Sequence, residues 1–166
     1  MSRPTFQEMI KMINTTLCYI EKDGKYLMLH RVKKINDLNQ DKWIGIGGKF
    51  EDKESPEECM IREALEETGL TLIKPEYRGL LTFVSDKWPT EYIHLFYADN
   101  FSGELKECDE GNLEWVAIED IYSLPIWSGD KIFLKLIEEK APFFSLKLQY
   151  EEDNLVNAVL NGEKIV

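Results

Sequence analysis

The sequence predicts an α/β protein in which a mixed β-sheet lies between helices, and three observations support this fold class. Segments typical of β-strands precede, surround and follow one well-delimited helix, which favours a sheet covered by helices. A second helical pattern lies toward the C-terminus. The 166 residues, 43% of them hydrophobic and 11% aromatic, suffice for one compact domain with a real core. We therefore expect a single domain over residues 1–166.

Six segments have the composition and turn boundaries of strands, over residues 14–21, 25–31, 43–48, 78–85, 92–99 and 113–117. Asp23-Gly24 joins the first two, because this dipeptide favours the tight turn of a two-residue hairpin. The polar residues 32–42 predict a loop. The third segment ends in Gly47-Gly48, which leaves room there for a close backbone approach.

The clearest helix begins after Ser55, which is a favourable N-cap. Pro56 suits the first helical position, Glu58 completes a capping box with Ser55, and Gly69 ends the helix. Helical spacing places three apolar residues on one face: Ile61, Ala64 and Leu65.

A second helix is predicted over residues 128–140, with Ser128 as its cap. Residues 143–150 are ambiguous between strand and helix. The sequence leaves open whether the last 25 residues complete the sheet or pack elsewhere.

The net charge of −11 disfavours duplex nucleic acid and anionic membranes as partners. No apolar run approaches the roughly 18 residues of a membrane-spanning helix, and the N-terminus lacks the apolar core of a secretory signal. Three widely spaced cysteines, Cys18, Cys59 and Cys108, predict free thiols in a reducing compartment. The expected location is therefore the cytoplasm.

The predicted first helix concentrates carboxylates on one surface. Glu63 lies three residues before Glu66 and four before Glu67, so their side chains are neighbours that repel one another. A divalent cation such as Mg²⁺ would reverse that effect, and Arg62 could hold one carboxylate in place. Taken alone, these charges also fit an ordinary solvated helix face.

The wider pattern favours a metal site. From Gly48 to Leu70 the sequence fits the template G-x5-E-x7-R-E-U-x-E-E-x-G-U at every named position and at every apolar position U. This template is the signature of the Nudix hydrolases, and the chain resembles that superfamily over nearly its whole length.

The resemblance implies a Nudix-type α/β/α sandwich with a mixed, curved sheet between helices. Its loop–helix–loop box, residues 48–70, would bind Mg²⁺, with Mn²⁺ as a possible substitute. Glu54 and Arg62 would orient and support the box. The implied metal ligands are the Gly47 carbonyl, Glu63, Glu66 and Glu67. Bound cations would neutralise carboxylates and phosphates while one carboxylate takes a proton from the attacking water.

Outside the box the chain resembles MutT-type nucleoside triphosphate pyrophosphohydrolases. Glu110 lies where those enzymes present a further carboxylate, so it is a candidate fourth acidic ligand or general base; the alternative is a solvated turn carboxylate. Glu63, Glu66, Glu110 and Arg62 form the candidate catalytic set. The resemblance does not decide which glutamate is the general base or how many metal ions bind.

The segment from Leu124 to Asp130 resembles the part that contacts the base in that subfamily. Trp127 could stack on a purine and Asp130 could hydrogen-bond to its edge, although core packing and a helix-terminus role are equally open. Ile44 and Gly129 replace an Asn and an Asp found in some relatives, which leaves base selectivity open. Three strand residues could contact sugar, phosphate and base respectively: Thr16, Arg31 and Phe83. Thr16 and Phe83 fit ordinary strand residues at least as well, whereas Arg31 forms a basic patch for a phosphate tail with its neighbours Lys33 and Lys34.

The predicted function is Mg²⁺-dependent hydrolysis of a nucleoside triphosphate, an oxidised purine such as 8-oxo-dGTP, to the monophosphate and pyrophosphate. The alternatives are a Nudix hydrolase of ADP-ribose, dinucleotide polyphosphates or sugar nucleotides, and a non-catalytic nucleotide-binding module. The expected partner is a small nucleotide rather than a polymer or a membrane, and monomer and homodimer both remain open. His30 and His94 are expected to be half-buried strand residues and not metal ligands.

Overall fold

The computed structural model describes residue 3, residues 12–33 and residues 37–166. Its strands are β1 (Met12–Lys22), β2 (Lys25–His30), β3 (Trp43–Ile44), β4 (Leu70–Leu72), β5 (Glu76–Ser85), β6 (Thr90–Ala98), β7 (Phe101–Gly103), β8 (Asn112–Ala117), β9 (Phe144–Glu151), β10 (Asn154–Leu160) and β11 (Glu163–Lys164). Its helices are α1 (Pro56–Thr68), α2 (Ile118–Ile121) and α3 (Asp130–Glu138). In this part of the chain no helix is long and apolar enough to cross a membrane.

The main sheet is mixed, as predicted. Its order is β11-β10-β9-β5-β6-β1-β2-β3, and β8 pairs with β2. The pairs β1–β6 and β5–β9 are parallel, whereas the other neighbours are antiparallel. The short strands β4 and β7 form a separate two-stranded sheet that the sequence analysis did not predict.

The sheet separates two apolar cores. Because side chains alternate along a strand, Cys18 of β1 joins the core under α1 with Met60 and Ala64. Its neighbour Tyr19 points the other way and packs with Phe133 of α3. Helices therefore cover both faces of one mixed sheet, and the predicted α/β/α sandwich is confirmed.

The C-terminal residues complete the sheet, which answers the question that the sequence left open. Strand β9 pairs in parallel with β5, and β10 and β11 extend the edge beyond it. The predicted cap of the second helix is wrong: α3 begins at Asp130, two residues after Ser128, and its N-cap is Gly129 with no side-chain cap bond. The Gly129 N–H instead donates to the Tyr150 hydroxyl at 2.8 Å.

Helix α1 has the predicted ends. Ser55 and Glu58 form the capping box, and Gly69 adopts a left-handed conformation with φ of 82° at the C-cap. The predicted apolar face is partly wrong, because the Leu65 side chain is 47% exposed. The residues of α1 that are buried are Cys59, Met60, Ala64 and Thr68.

Removing the cap is expected to weaken α1. In Ser55→Ala the Glu58 N–H loses its acceptor, the Ser55 Oγ at 3.1 Å, so the free energy of unfolding should fall by about 1 kcal/mol. Urea denaturation measures the change. Ser128→Ala is the matched control, because that exposed serine makes no cap bond and its removal should leave stability unchanged. Equal stability of the two variants would contradict the capping role of Ser55.

Candidate active site

The loop after β3 runs directly against β1. Ile46 and Cys18 exchange backbone hydrogen bonds of 2.6 and 2.9 Å, and the Thr16 N–H donates to the Gly48 carbonyl at 2.9 Å. A Cβ added to Gly47 would lie 1.7 Å from the Thr16 carbonyl oxygen. Only glycine permits this approach, which carries the Gly47-Gly48 backbone to the carboxylates of α1.

Two glutamates of α1 meet this loop. The Glu67 carboxylate accepts a hydrogen bond from the Gly47 N–H at 3.3 Å, and a Cβ on Gly48 would lie 2.4 Å from the Glu63 carboxyl carbon. Burial raises the pKa of both glutamates, and the charge of Glu110 raises them further. The site therefore gathers carboxylates whose mutual repulsion a cation would relieve.

Arg62 is the centre of an ion-pair network on the same helix. Its guanidinium donates to both Glu54 oxygens at 2.6 and 2.8 Å, to Glu63 at 2.8 Å and to Glu66 at 3.1 Å. The two bonds from Arg62 to Glu54 hold the pKa of Glu54 at about 2, well below its ordinary value. A fifth bond of 3.0 Å reaches the Lys49 carbonyl, so Arg62 ties the loop to α1.

Glu110 reaches the box from the turn before β8. Arg31 donates to Glu110 at 2.5 Å through Nη1 and to Asp37 at 2.6 Å through Nε. The predicted phosphate-binding residue is thus buried and paired with two carboxylates. Asp37 was missed, because a polar loop gives no local sign of which distant side chain it will contact. Lys33 donates to the Cys108 carbonyl at 2.9 Å, and Lys34 lies outside the described residues.

The donor set has the chemistry of a hard-cation site, with carboxylates grouped beside a glycine backbone. Among the described residues, no three histidine, cysteine, aspartate or glutamate side chains converge closely enough to bind one ion as they stand. The physical reason is Arg62, which draws Glu63 and Glu66 toward its guanidinium. Glu66 has a side chain that is 58% exposed and has room to turn.

An aromatic cluster lies on the opposite face of the sheet. The Trp127 ring is 5.4 Å from Phe83 and 4.9 Å from Tyr150, centroid to centroid, and its Nε1–H donates to Asn39 at 2.8 Å. Lys42 Nζ lies 4.5 Å from the Trp127 ring centroid. The structure thus brings the predicted base-contacting residues Phe83 and Trp127 together, both well buried.

Asp130 is a buried acid at the start of α3, next to this cluster. It is only 9% exposed, and burial raises its pKa to about 8 although Lys42 partly offsets that rise. The group is therefore largely neutral at pH 7 and able to donate a hydrogen bond.

Thr16 does not join the aromatic cluster. It faces α1, where its hydroxyl lies 3.3 Å from the Gly48 carbonyl and 3.5 Å from the Cys59 sulfur. The sheet therefore places Thr16 beside the carboxylate box and Phe83 on the other side. Sequence matching of single strand residues could not reveal this, because the side of the sheet depends on the register of β1.

The histidines are half-buried strand residues, as predicted. His30 stacks on Trp43 with ring centroids 4.4 Å apart. His94 hydrogen-bonds to the Tyr77 hydroxyl and, at 3.1 Å, to the Asn14 side chain. All three cysteines are buried free thiols.

The sandwich and its glutamate-rich loop and helix together define an acid-anhydride hydrolase. The family model described as NUDIX domain matches residues 11–137, and the chain belongs to the Nudix family of hydrolases.

Its relatives include an uncharacterised Nudix hydrolase of Bacillus subtilis strain 168, 35% identical over 69% of this chain and 72% of the relative. The oxidized purine nucleoside triphosphate hydrolase of Danio rerio is 32% identical over 77% of this chain and 81% of its own. The CTP pyrophosphohydrolase of Escherichia coli K12 is 29% identical over 73% and 87%. A crystal structure of a mutator MutT protein from Bacillus halodurans superimposes with a TM-score of 0.80 and 28% identity, covering 91% of this chain and 99% of that one.

Proposed function

We propose that the protein hydrolyses a nucleoside triphosphate to the monophosphate and pyrophosphate with Mg²⁺, and that an oxidised purine such as 8-oxo-dGTP is the substrate. The observation that carries the proposal is the gathering of Glu63, Glu67 and Glu110 at the Gly47-Gly48 loop. The similarity to the zebrafish enzyme supports the choice of an oxidised purine.

The metal would be held by Glu63, Glu66, Glu67, Glu110 and the Gly47 carbonyl, with Mn²⁺ as a possible substitute. When bound, Mg²⁺ neutralises carboxylates and phosphates and polarises the phosphorus centre for attack. Arg62 orients Glu63 and Glu66, and Arg31 holds Glu110 beside Glu67.

One carboxylate of the box must take the proton of the attacking water. Glu67 is buried against Gly47, and Glu63 is packed on Gly48. The Glu66 side chain is 58% exposed and reaches solvent more fully than that of Glu63 at 15% or of Glu110 at 33%, so Glu66 is assigned as the general base.

The base would be recognised on the other face of the sheet. Trp127 and Phe83 offer aromatic surface, and the neutral Asp130 carboxyl could donate a hydrogen bond to an oxo group of the base. Thr16 supports the glycine loop rather than the sugar, since its hydroxyl contacts Gly48 and Cys59.

Asp130→Asn is expected to change how stability depends on pH. Unfolded aspartate ionises near its ordinary pKa of 3.8, whereas folded Asp130 ionises near 8. Between these values the unfolded state binds fewer protons, so the wild-type free energy of unfolding should fall as pH rises. The asparagine variant should be more stable than wild type by roughly 5 kcal/mol at pH 8, since the two pKa values lie about four units apart and one unit corresponds to about 1.36 kcal/mol.

Urea denaturation at pH 4, 6 and 8 measures this effect. The advantage of Asp130→Asn should vanish at pH 4, and Asp153→Asn, at an exposed turn, is the control with no pH-dependent difference. Parallel pH profiles for wild type and Asp130→Asn would show that Asp130 is ionised in the folded protein. A neutral donor would then play no part in base recognition.

CTP is the second candidate substrate. The E. coli relative is named for it, and Ile44 and Gly129 stand where some relatives have hydrogen-bonding residues. Cytosine is smaller than an oxidised purine and would need fewer hydrogen-bonding residues in that pocket.

A nucleotide panel tests the proposal. Purified protein with Mg²⁺ is assayed on the four common nucleoside triphosphates, 8-oxo-dGTP, ADP-ribose, a dinucleotide polyphosphate and a sugar nucleotide, with pyrophosphate and phosphate measured separately. Pyrophosphate release from 8-oxo-dGTP at the highest kcat/KM supports the proposal, and the same result for CTP alone favours the second candidate. Turnover of ADP-ribose or a dinucleotide alone contradicts both. Binding of a nucleotide without cleavage identifies a non-catalytic module.

A further inference from the structure

Glu91 is a carboxyl residue on the aromatic face of the sheet. In the β5–β6 register it is the direct partner of Phe83. Side chains alternate along β6, so Glu91 points to the same face as Ile93 and Leu95, which pack in the core that contains Phe83 and Trp127. Phe83 belongs to the aromatic cluster, since its ring is 5.4 Å from that of Trp127. Glu91 therefore lies on the strand next to the cluster.

A single hydroxyl group binds this carboxyl. Thr15 of β1, itself buried, donates to Glu91 Oε1 at 2.8 Å. In the part of the chain that the structure describes, Oε2 accepts no hydrogen bond, and no side-chain oxygen or nitrogen there is both fully buried and unpartnered, so Oε2 is open to solvent or to a ligand. Burial raises the pKa of Glu91, and Lys49 and Thr15 lower it again.

Such a carboxyl does not help the fold. A half-buried carboxyl with a single hydroxyl partner adds little to stability, and an apolar side chain at this position would suit the core around Phe83 better. The fold therefore tolerates Glu91 rather than requiring it, and a polar group of this kind, with one oxygen open on the face of the aromatic cluster, is a candidate for ligand recognition.

Stacking on Trp127 or Phe83 does not distinguish one base from another, because every base has an aromatic face. Selection needs polar groups that match the edge of one base and leave an unpaired partner with another. Asp130 supplies a donor beside Trp127, and Glu91, the register partner of Phe83, supplies an acceptor.

We propose that Glu91 is a specificity-determining residue, whose Oε2 accepts a hydrogen bond from the N–H edge of the bound base. This inference rests on the proposed nucleotide hydrolysis. A guanine-type base, with a ring N–H beside an amino group, offers adjacent donors to such a carboxylate. Cytosine offers an amino donor next to a ring nitrogen that is an acceptor, so the Glu91 carboxylate disfavours cytosine.

Glu91→Gln tests the inference, because it keeps the side-chain volume and an acceptor for Thr15 but turns the second position into a donor. The ratio of kcat/KM for 8-oxo-dGTP over CTP should fall about tenfold or more, the equivalent of one or two hydrogen bonds. Most of the change should appear in KM, since Glu91 is proposed to contact the base and not the reacting phosphate. Glu114→Gln, an exposed position on β8, is the matched control with an unchanged ratio.

A second measurement keeps the test independent of turnover. Dissociation constants of GMP and CMP are measured by calorimetry for wild type, Glu91→Gln and Glu114→Gln, after thermal melting has shown that each variant folds. A shifted GMP-to-CMP ratio in Glu91→Gln supports the inference even where the panel finds no hydrolysis, which would refute only the proposed function. An unchanged ratio in both assays, or wild-type protein that binds neither nucleotide, overturns the inference.

Discussion

Glu66→Gln is expected to lower kcat by about 10²- to 10⁴-fold, the usual loss when a general base is removed. Glutamine keeps the size of the side chain but cannot take a proton from water. The fold should be unaffected, because Glu66 is exposed and its bond to Arg62 is one of several that Arg62 makes. Steady-state kinetics at saturating Mg²⁺ measure kcat, and circular dichroism verifies the fold.

Two further variants of α1 are compared with Glu66→Gln, one as a control and one at a metal ligand. Glu57→Gln lies on the exposed first turn of the same helix and should retain full activity. Glu67→Gln should instead raise the Mg²⁺ concentration needed for half-maximal rate, because a ligand beside Gly47 is lost. Full activity in Glu66→Gln would mean that the metal and water sites lie elsewhere.

The box could be predicted in detail because its determinants are local. The capping box of Ser55 and Glu58, the Gly69 stop and the carboxylate spacing all lie within one helix and its ends. The bonds from Arg62 to Glu54 and Glu63 span only a few residues along the chain. Short-range patterns of this kind specify geometry before any tertiary contact is known.

The sequence was least informative where distant parts of the chain decide the outcome. Leu65 is exposed because α1 meets the sheet through Met60 and Ala64, a rotation set by the residues of β1 beneath it. Arg31 is paired across the chain with Glu110, 79 residues later, and no local pattern encodes that partner. The face of the sheet on which Thr16 lies likewise follows from the register of β1 against β6.

One element that the sequence left ambiguous between strand and helix did leave a signal. Phe144–Glu151 alternates buried and more exposed side chains without a break, which is the period of a half-buried strand. What the alternation could not supply was its partner, since a parallel pairing with β5 joins residues more than 60 positions apart. The sequence thus contained the strand but not its place in the sheet.

Gly47→Ala is expected to damage stability and activity together. The new Cβ would lie 1.7 Å from the Thr16 oxygen and 2.5 Å from its carbonyl carbon, and both are backbone atoms that cannot rotate away. The loop must therefore separate from β1, which strains the bonds between Ile46 and Cys18. Overpacking of this kind lowers the free energy of unfolding by about 1–3 kcal/mol or more. Turnover should fall as well, since the Gly47 N–H moves away from Glu67.

Gly48→Ala separates these two effects. Its Cβ would meet only the Glu63 carboxyl, at 2.4 Å, and that flexible side chain can turn aside without moving the backbone. Urea denaturation should therefore show a smaller loss of stability than in Gly47→Ala, whereas kcat should fall in both variants. Wild-type stability in Gly47→Ala would mean that the loop does not run against β1. Wild-type kcat in a folded Gly48→Ala would mean that turnover does not depend on the position of the Glu63 carboxyl, and Glu63 would then not be a metal ligand.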